Sequence, residues 1–163
     1  MIRSLRRRQL LAGAAGLLPL ALRAQPAGTV AWTDVRLLDG RVLHAAELAQ
    51  RQVIVYMWAS WCPFCAKQSP HMQALHAEQS RRPDGLLVLG YSIDKTEKAA
   101  ADYLARHGYT FAAAMATPQV EQWFGKRRAL PEVYVVDRGR IVFREGGEMF
   151  PEDVAALARF ARR

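Results

Sequence analysis

Val53-Ile54-Val55-Tyr56-Met57-Trp58, then Ala59-Ser60, then Trp61-Cys62-Pro63-Phe64-Cys65 sets the architecture around it. The apolar run has strand length and predicts a central strand covered on both faces. The stretch from Pro63 to about Gln79 reads as a helix. Cys62 and Cys65, the chain's only two cysteines, sit at the junction. A Cys-x-x-Cys between a strand and a helix is a dithiol suited to opening and closing. There Cys62 meets the unpaired N–H groups and dipole of a helix N-terminus, which favour a thiolate. Cys65, one turn on, can reach the Cys62 sulfur. Pro63 suits the first turn, where its missing N–H has no partner to lose.

Other uses of the pair stay open on these residues. A structural disulfide closes so short a loop that it stabilises little. A zinc site wants four ligands, and no second Cys-x-x-Cys exists. A copper or zinc metallochaperone module would need His71 or His76 as a further ligand. No glycine-rich phosphate loop or dinucleotide fingerprint is present, so no organic cofactor is expected.

Outward from the motif, the start of the chain resembles an export signal. Arg3, Arg6, Arg7 and Arg8 precede an apolar segment from Leu10 to Leu22 that is short for a membrane span. Leu22-Arg23-Ala24 offers a cleavage site. Arg7-Arg8-Gln9-Leu10-Leu11 resembles the twin-arginine motif, with Arg6 where Ser or Thr is usual. A general secretory signal and an uncleaved anchor remain alternatives. The expected organisation is a signal over residues 1–24 and one domain over 25–163. Residues 1–24 carry five arginines and no acid, so their removal lowers the net charge from +8 to +3 (18 basic against 15 acidic side chains). The charge then gives no argument for nucleic acid, and no basic stripe with interleaved aromatics appears. An exported chain with no cysteine outside the motif does not use disulfides as scaffolding.

Along the mature chain, Val30–Leu37 and Val42-Leu43 flank Asp39-Gly40, a hairpin-turn signal. Ala45–Gln50 reads as a helical turn, and Pro70 should kink the helix after the motif. Leu86–Ile93 reads as a second buried strand ending at Asp94. Thr96–His107 reads as a helix with Thr96 and Gly108 as its caps. A short strand within Phe111–Met115 and helical turns over Pro118–Phe124 follow. Glu132–Asp137 and Arg140–Arg144 form a hairpin, and Pro151–Arg162 a last helix. Buried strands alternating with helices predict a mixed sheet with helices on both faces.

These segments resemble the TlpA/ResA-like group of exported thioredoxin-fold thiol-disulfide oxidoreductases. Four features carry the likeness across the mature chain. They are Tyr56–Cys65 with its Trp-Ala-Ser-Trp and Cys-x-x-Cys, Pro70 five residues later, Leu89–Asp94, and Leu130-Pro131-Glu132 running on to Val142. The resemblance implies an α/β thioredoxin fold, a central mixed sheet flanked by helices, with an N-terminal β-hairpin extension. It implies Cys62 as nucleophile, Cys65 as resolving thiol, and a cis peptide at Pro131 that turns the Leu130 backbone toward the cysteines. Trp61, Pro63, Phe64, Leu130 and Pro131 are the implied substrate-binding residues. A disulfide-containing protein is the implied substrate, a membrane dithiol the electron donor, the periplasm the location, and a monomer the working form. Asp94 and Glu132 are considered for proton transfer. Two departures stand out: Phe64, not Pro, precedes the second cysteine, and Gln68 occupies a position often held by an acid. The first leaves an oxidase or isomerase open, since the intervening dipeptide tunes redox poise. The second puts a role in cytochrome c maturation in doubt.

Overall fold

The computed structural model describes residues 28–125 and 127–162. The expected export signal, residues 1–24, and residues 25–27 of the expected domain lie outside the described residues. Among those described, no helix is long and apolar enough to cross a membrane.

A two-stranded antiparallel hairpin comes first, β1 (Val35–Arg36) against β2 (Val42–Leu43). It is narrower than the expected Val30–Leu37 strand. Val30 instead bonds to Gly139 of a later turn, and Trp32 packs edge-on against Trp123. A helical turn, α1 (Ala45–Leu48), leads to β3 (Gln52–Trp58), buried along its whole length. Then come α2 (Pro63–Gln79), β4 (Leu87–Ser92), α3 (Glu97–His107), β5 (Ala112–Met115), α4 (Pro118–Phe124), β6 (Glu132–Asp137), β7 (Arg140–Gly146) and α5 (Pro151–Ala156). The last helix is shorter than the sequence predicts. After Ala156 the chain tightens into a 3-10 turn, Leu157–Phe160, where the Arg159 guanidinium covers the Phe143 and Phe160 rings.

The main sheet has strand order β5-β4-β3-β6-β7. Strands β3, β4 and β5 are parallel, while β6 and β7 join antiparallel. Two consecutive crossovers advance the same way from β3 to β5, so the preferred right-handed connection puts α2 and α3 on one face. Burial agrees. Ile54, Tyr56 and Trp58 pack with Met72, Leu75, Tyr103 and Val154, contributed by α2, α3 and α5. The alternate residues Val53, Val55 and Met57 face the other side, with Leu48, Val120 and Trp123. The β6–β7 connection is a tight turn with Arg138 and Gly139 both at positive φ (47° and 76°), which suits the twist of an antiparallel pair.

Gly90 on β4 is required by close approach. A Cβ there would stand 2.8 Å from Trp58 Nε1 and 2.9 Å from Phe111 Cε2. The missing side chain lets the Trp58 indole lie flat at the end of β3, where the motif begins.

Candidate active site

The chain leaves β3 at Trp58, makes a short loop, and enters α2 with Cys62 as N-cap and Pro63 in the first turn. The Cys62 sulfur accepts the Cys65 backbone N–H at 3.2 Å, filling one of the orphan donor positions of the helix start. Both thiols are free. Cys65 has no exposed surface and Cys62 only 4%, whereas Trp61 and Phe64 are 64% and 52% exposed. The Cys62 sulfur is thus recessed between two protruding aromatics, with Pro63 also exposed.

Leu130 and Pro131 come to this site from the start of β6. The Leu130–Pro131 peptide is cis. The Leu130 carbonyl lies 3.9 Å from Cys62 Sγ. Pro131 itself is buried, and its carbonyl already accepts the Gly147 N–H at 2.8 Å. The structure therefore brings Leu130, and with it Pro131, to the dithiol that Trp61, Pro63 and Phe64 flank in sequence, with the Leu130 carbonyl at the Cys62 sulfur.

The loop before α2 is latched from β4. Asp94 accepts the Ser60 N–H at 3.0 Å and the hydroxyls of Ser60 and Ser92 at 2.6 and 2.7 Å. Its carboxylate is occupied in holding the loop. Glu132 is likewise committed, accepting from Tyr134 Oη, Arg144 and the Arg128 N–H at 2.8, 3.1 and 3.0 Å. It fixes the segment that leads into Pro131. These two residues, considered for proton transfer from sequence, brace the loops on either side of the cysteines.

Gln68 is fully buried. Its Oε1 accepts the Met149 N–H at 2.8 Å and ties α2 to the segment before α5. Its Nε2 has no hydrogen-bond partner among the described residues. Lys67 lies over the Phe64 ring and pairs with Glu148 at 3.6 Å. Neither His71 nor His76 joins the cysteines; among the described residues no group of three or more potential ligands could hold a metal ion.

Tyr56 and Ser69 belong to the site and were not singled out from sequence. Tyr56 Oη lies 3.1 Å from both the Cys65 carbonyl and Ser69 Oγ. Ser69 Oγ also donates to the Cys65 carbonyl at 2.8 Å. The available signal was strand alternation. Tyr56 shares a face with Trp58, the residue that leads into the cysteines, and a buried phenol needs a partner. Burial drives the Cys65 thiol well above its ordinary pKa. The neighbouring Cys62 pushes it further, while the Ala59 backbone and the Tyr56 hydroxyl draw it partly back. Cys65 is a proton-bearing thiol in this state, buried behind an accessible rim.

Comparison with known proteins agrees with this geometry. The family model described as Redoxin matches residues 25–159. The thiol:disulfide interchange protein DsbE homolog of Paracoccus denitrificans is 31% identical, over 84% of this chain and 87% of that protein. The thiol-disulfide oxidoreductase ResA of Bacillus thuringiensis is 24% identical, over 72% of this chain and 67% of that one. Among solved structures, a thioredoxin-family thiol:disulfide interchange protein from Chlorobium tepidum superposes with a TM-score of 0.73. It is 23% identical and covers 85% of this chain and 97% of its own. The chain belongs to the redoxin family, as a thioredoxin-fold thiol-disulfide oxidoreductase of the DsbE/ResA type.

Proposed function

We propose that this oxidoreductase works in the periplasm, on exported residues 25–163, and reduces disulfides in protein substrates. Cys62, as thiolate, attacks a substrate disulfide and forms a mixed disulfide, releasing one substrate sulfur as thiol. Cys65 then attacks Cys62, releasing the second substrate thiol and leaving the Cys62–Cys65 bridge. A membrane dithiol restores the reduced pair. An extended substrate segment pairs with the Leu130 backbone while Trp61, Pro63 and Phe64 pack against it. Pro131 shapes that edge from below, its own carbonyl being taken. The chain acts as a monomer in this scheme.

The carrying observation is the placement of the pair: Cys62 capping α2 beside the Leu130 carbonyl, with buried Cys65 one turn behind. Support for the reducing direction comes from charge. A strongly oxidising pair needs its reduced form stabilised, usually by a cation or several donors on the nucleophilic sulfur. Here, among the described residues, the Cys62 sulfur hydrogen-bonds only with backbone groups, the Cys65 N–H and the Leu130 carbonyl, and Lys67, the nearest cation in sequence, is engaged by Glu148. The Phe64-containing dipeptide keeps the oxidase or isomerase direction as the second reading.

The test is a pair of variants assayed on a disulfide-containing protein. Cys62→Ser is expected to abolish turnover, and Cys65→Ser to accumulate the mixed disulfide on a gel run without reductant. Normal turnover by Cys62→Ser would remove the assignment of the nucleophile.

A further inference from the structure

Cys65 poses a problem that the residues usually invoked for proton handling do not solve. It must become nucleophilic to resolve the mixed disulfide, yet it has no exposed surface. The charged groups around it are committed elsewhere. Asp94 is held by Ser60 and Ser92, Glu132 by Tyr134, Arg144 and the Arg128 N–H, and Lys67 by Glu148. Gln68, one turn beyond Cys65, carries no proton to exchange. What meets Cys65 from inside the fold, at its backbone carbonyl, is a pair of hydroxyls: Tyr56 from β3 and Ser69 from α2 itself.

Of these, Tyr56 is the one placed by its own contacts. The residue is fully buried. Its Oη lies 3.1 Å from the Cys65 carbonyl and 3.1 Å from Ser69 Oγ. Its ring is fixed edge-on to Phe111, at 6.1 Å between centroids. A hydroxyl has one proton and can redirect it by rotating about the C–O bond. Ser69 donates its own proton to the Cys65 carbonyl at 2.8 Å, so that carbonyl keeps a donor when Tyr56 turns away. The Tyr103 hydroxyl is also buried but has no hydrogen-bond partner among the described residues.

We propose that Tyr56 is the hydrogen-bond donor to the Cys65 sulfur during resolution, swinging its O–H from the Cys65 carbonyl to the sulfur as negative charge develops there. The claim rests on the oxidoreductase chemistry assigned above and adds a residue to it. The step balances. Cys65 gives up its proton, its sulfur forms a bond to Cys62 Sγ, and the bond between Cys62 and the substrate sulfur breaks. The departing substrate thiolate takes up one proton, so the products are an oxidised enzyme pair and a substrate thiol. Tyr56 keeps its proton throughout, because burial holds its phenol well above the ordinary range. It supplies a dipole where a buried carboxylate would repel the developing thiolate.

The test reads the titration of Cys65 directly. A mixed disulfide of Cys62 with thionitrobenzoate is formed, and the rate at which Cys65 expels the coloured thiolate is followed against pH, with and without Tyr56→Phe. The groups whose titration could enter this profile are Tyr56, Tyr103, Asp94, Glu132, Lys67, Glu148 and His107, which packs on the Tyr103 ring. Tyr56→Phe is expected to move the Cys65 midpoint up by about one pH unit, which is about a tenfold lower rate on the rising limb of the profile. Tyr103→Phe, which removes a hydroxyl with no hydrogen-bond partner among the described residues, should leave the midpoint in place. Where Tyr56→Phe does not fold, 3-fluorotyrosine at position 56 makes a stronger donor of the same shape and should move the midpoint down. An unchanged midpoint with either replacement, or an equal shift from Tyr103→Phe, overturns the proposal. The readout uses no protein substrate, so it stands apart from any failure of the reductase assignment.

Discussion

Gln68 shows how a single buried residue sets the character of this site. Its carbonyl oxygen serves the Met149 N–H, and its amide nitrogen serves nothing among the described residues. Gln68→Glu would place a carboxyl at a fully enclosed position where only one donor awaits it. Desolvation raises the pKa of such a group, so the fold favours the protonated form. The variant should therefore keep most of its stability below the ordinary glutamate range and lose it as pH rises through and beyond about 4.3. Urea unfolding at pH 5 and pH 8 measures this, and the gap between variant and parent should be wider at pH 8. Equal gaps would mean that the pocket opens to water. At this scale the sequence told part of the story. The placement of Cys62 and Cys65 at a helix start and of Pro131 after a cis bond was legible because their neighbours in the chain define it. The parts played by Asp94, Tyr56 and Ser69 were not, because each is decided by a partner from another element. Asp94 reads as a free acid until Ser60 and Ser92 are seen to surround it.

At the scale of elements, β3 and β4 fix where the motif stands. Trp58 ends β3 and its indole crosses the face of Gly90, so the start of the Ala59–Trp61 loop depends on an atom that β4 lacks. Gly90→Ala should cost about 1–3 kcal/mol by overpacking. Since Trp58 is the last residue before the loop, the rate of disulfide exchange should fall with it. Chemical denaturation and single-turnover kinetics on the same variant report both effects; a neutral substitution would show that the indole has room to shift. Strands and long helices were readable here from apolar runs and caps. Thr96 and Gly108 bound α3 as expected. Pro70 lies within α2, which runs through it from Pro63 to Gln79. The ends that differed are those governed by tertiary contacts. β1 stops at two residues because the segment before it docks on the β6–β7 turn and on Trp123. α5 gives way to a 3-10 turn where Arg159 settles over two phenylalanines.

At the scale of the whole fold, the described residues that burial holds protonated above their ordinary range are phenols and one thiol. Burial raises Tyr56 and Tyr91 above the ordinary tyrosine value of 10, and raises Cys65 above 9. In each case the folded state holds the proton that the unfolded chain releases, so stability falls as pH rises past the unfolded value. The reduced protein should begin to lose stability above about pH 9 and the oxidised protein only above about 10, because the disulfide removes the Cys65 proton from the balance. Thermal unfolding of both forms from pH 8 to 11 tests this, and superimposable profiles would contradict it. The overall fold was legible in the sequence because the order of buried runs, caps and turns leaves few topologies. The direction of electron flow was not, since it depends on what surrounds one sulfur. The reduction potential of the Cys62–Cys65 pair, titrated against glutathione in the mature domain, tests that claim most directly. A reductase whose nucleophilic sulfur, among the described residues, hydrogen-bonds only with backbone groups should give about −250 mV or lower, and a value near about −120 to −180 mV would contradict the account and make the protein an oxidant or isomerase.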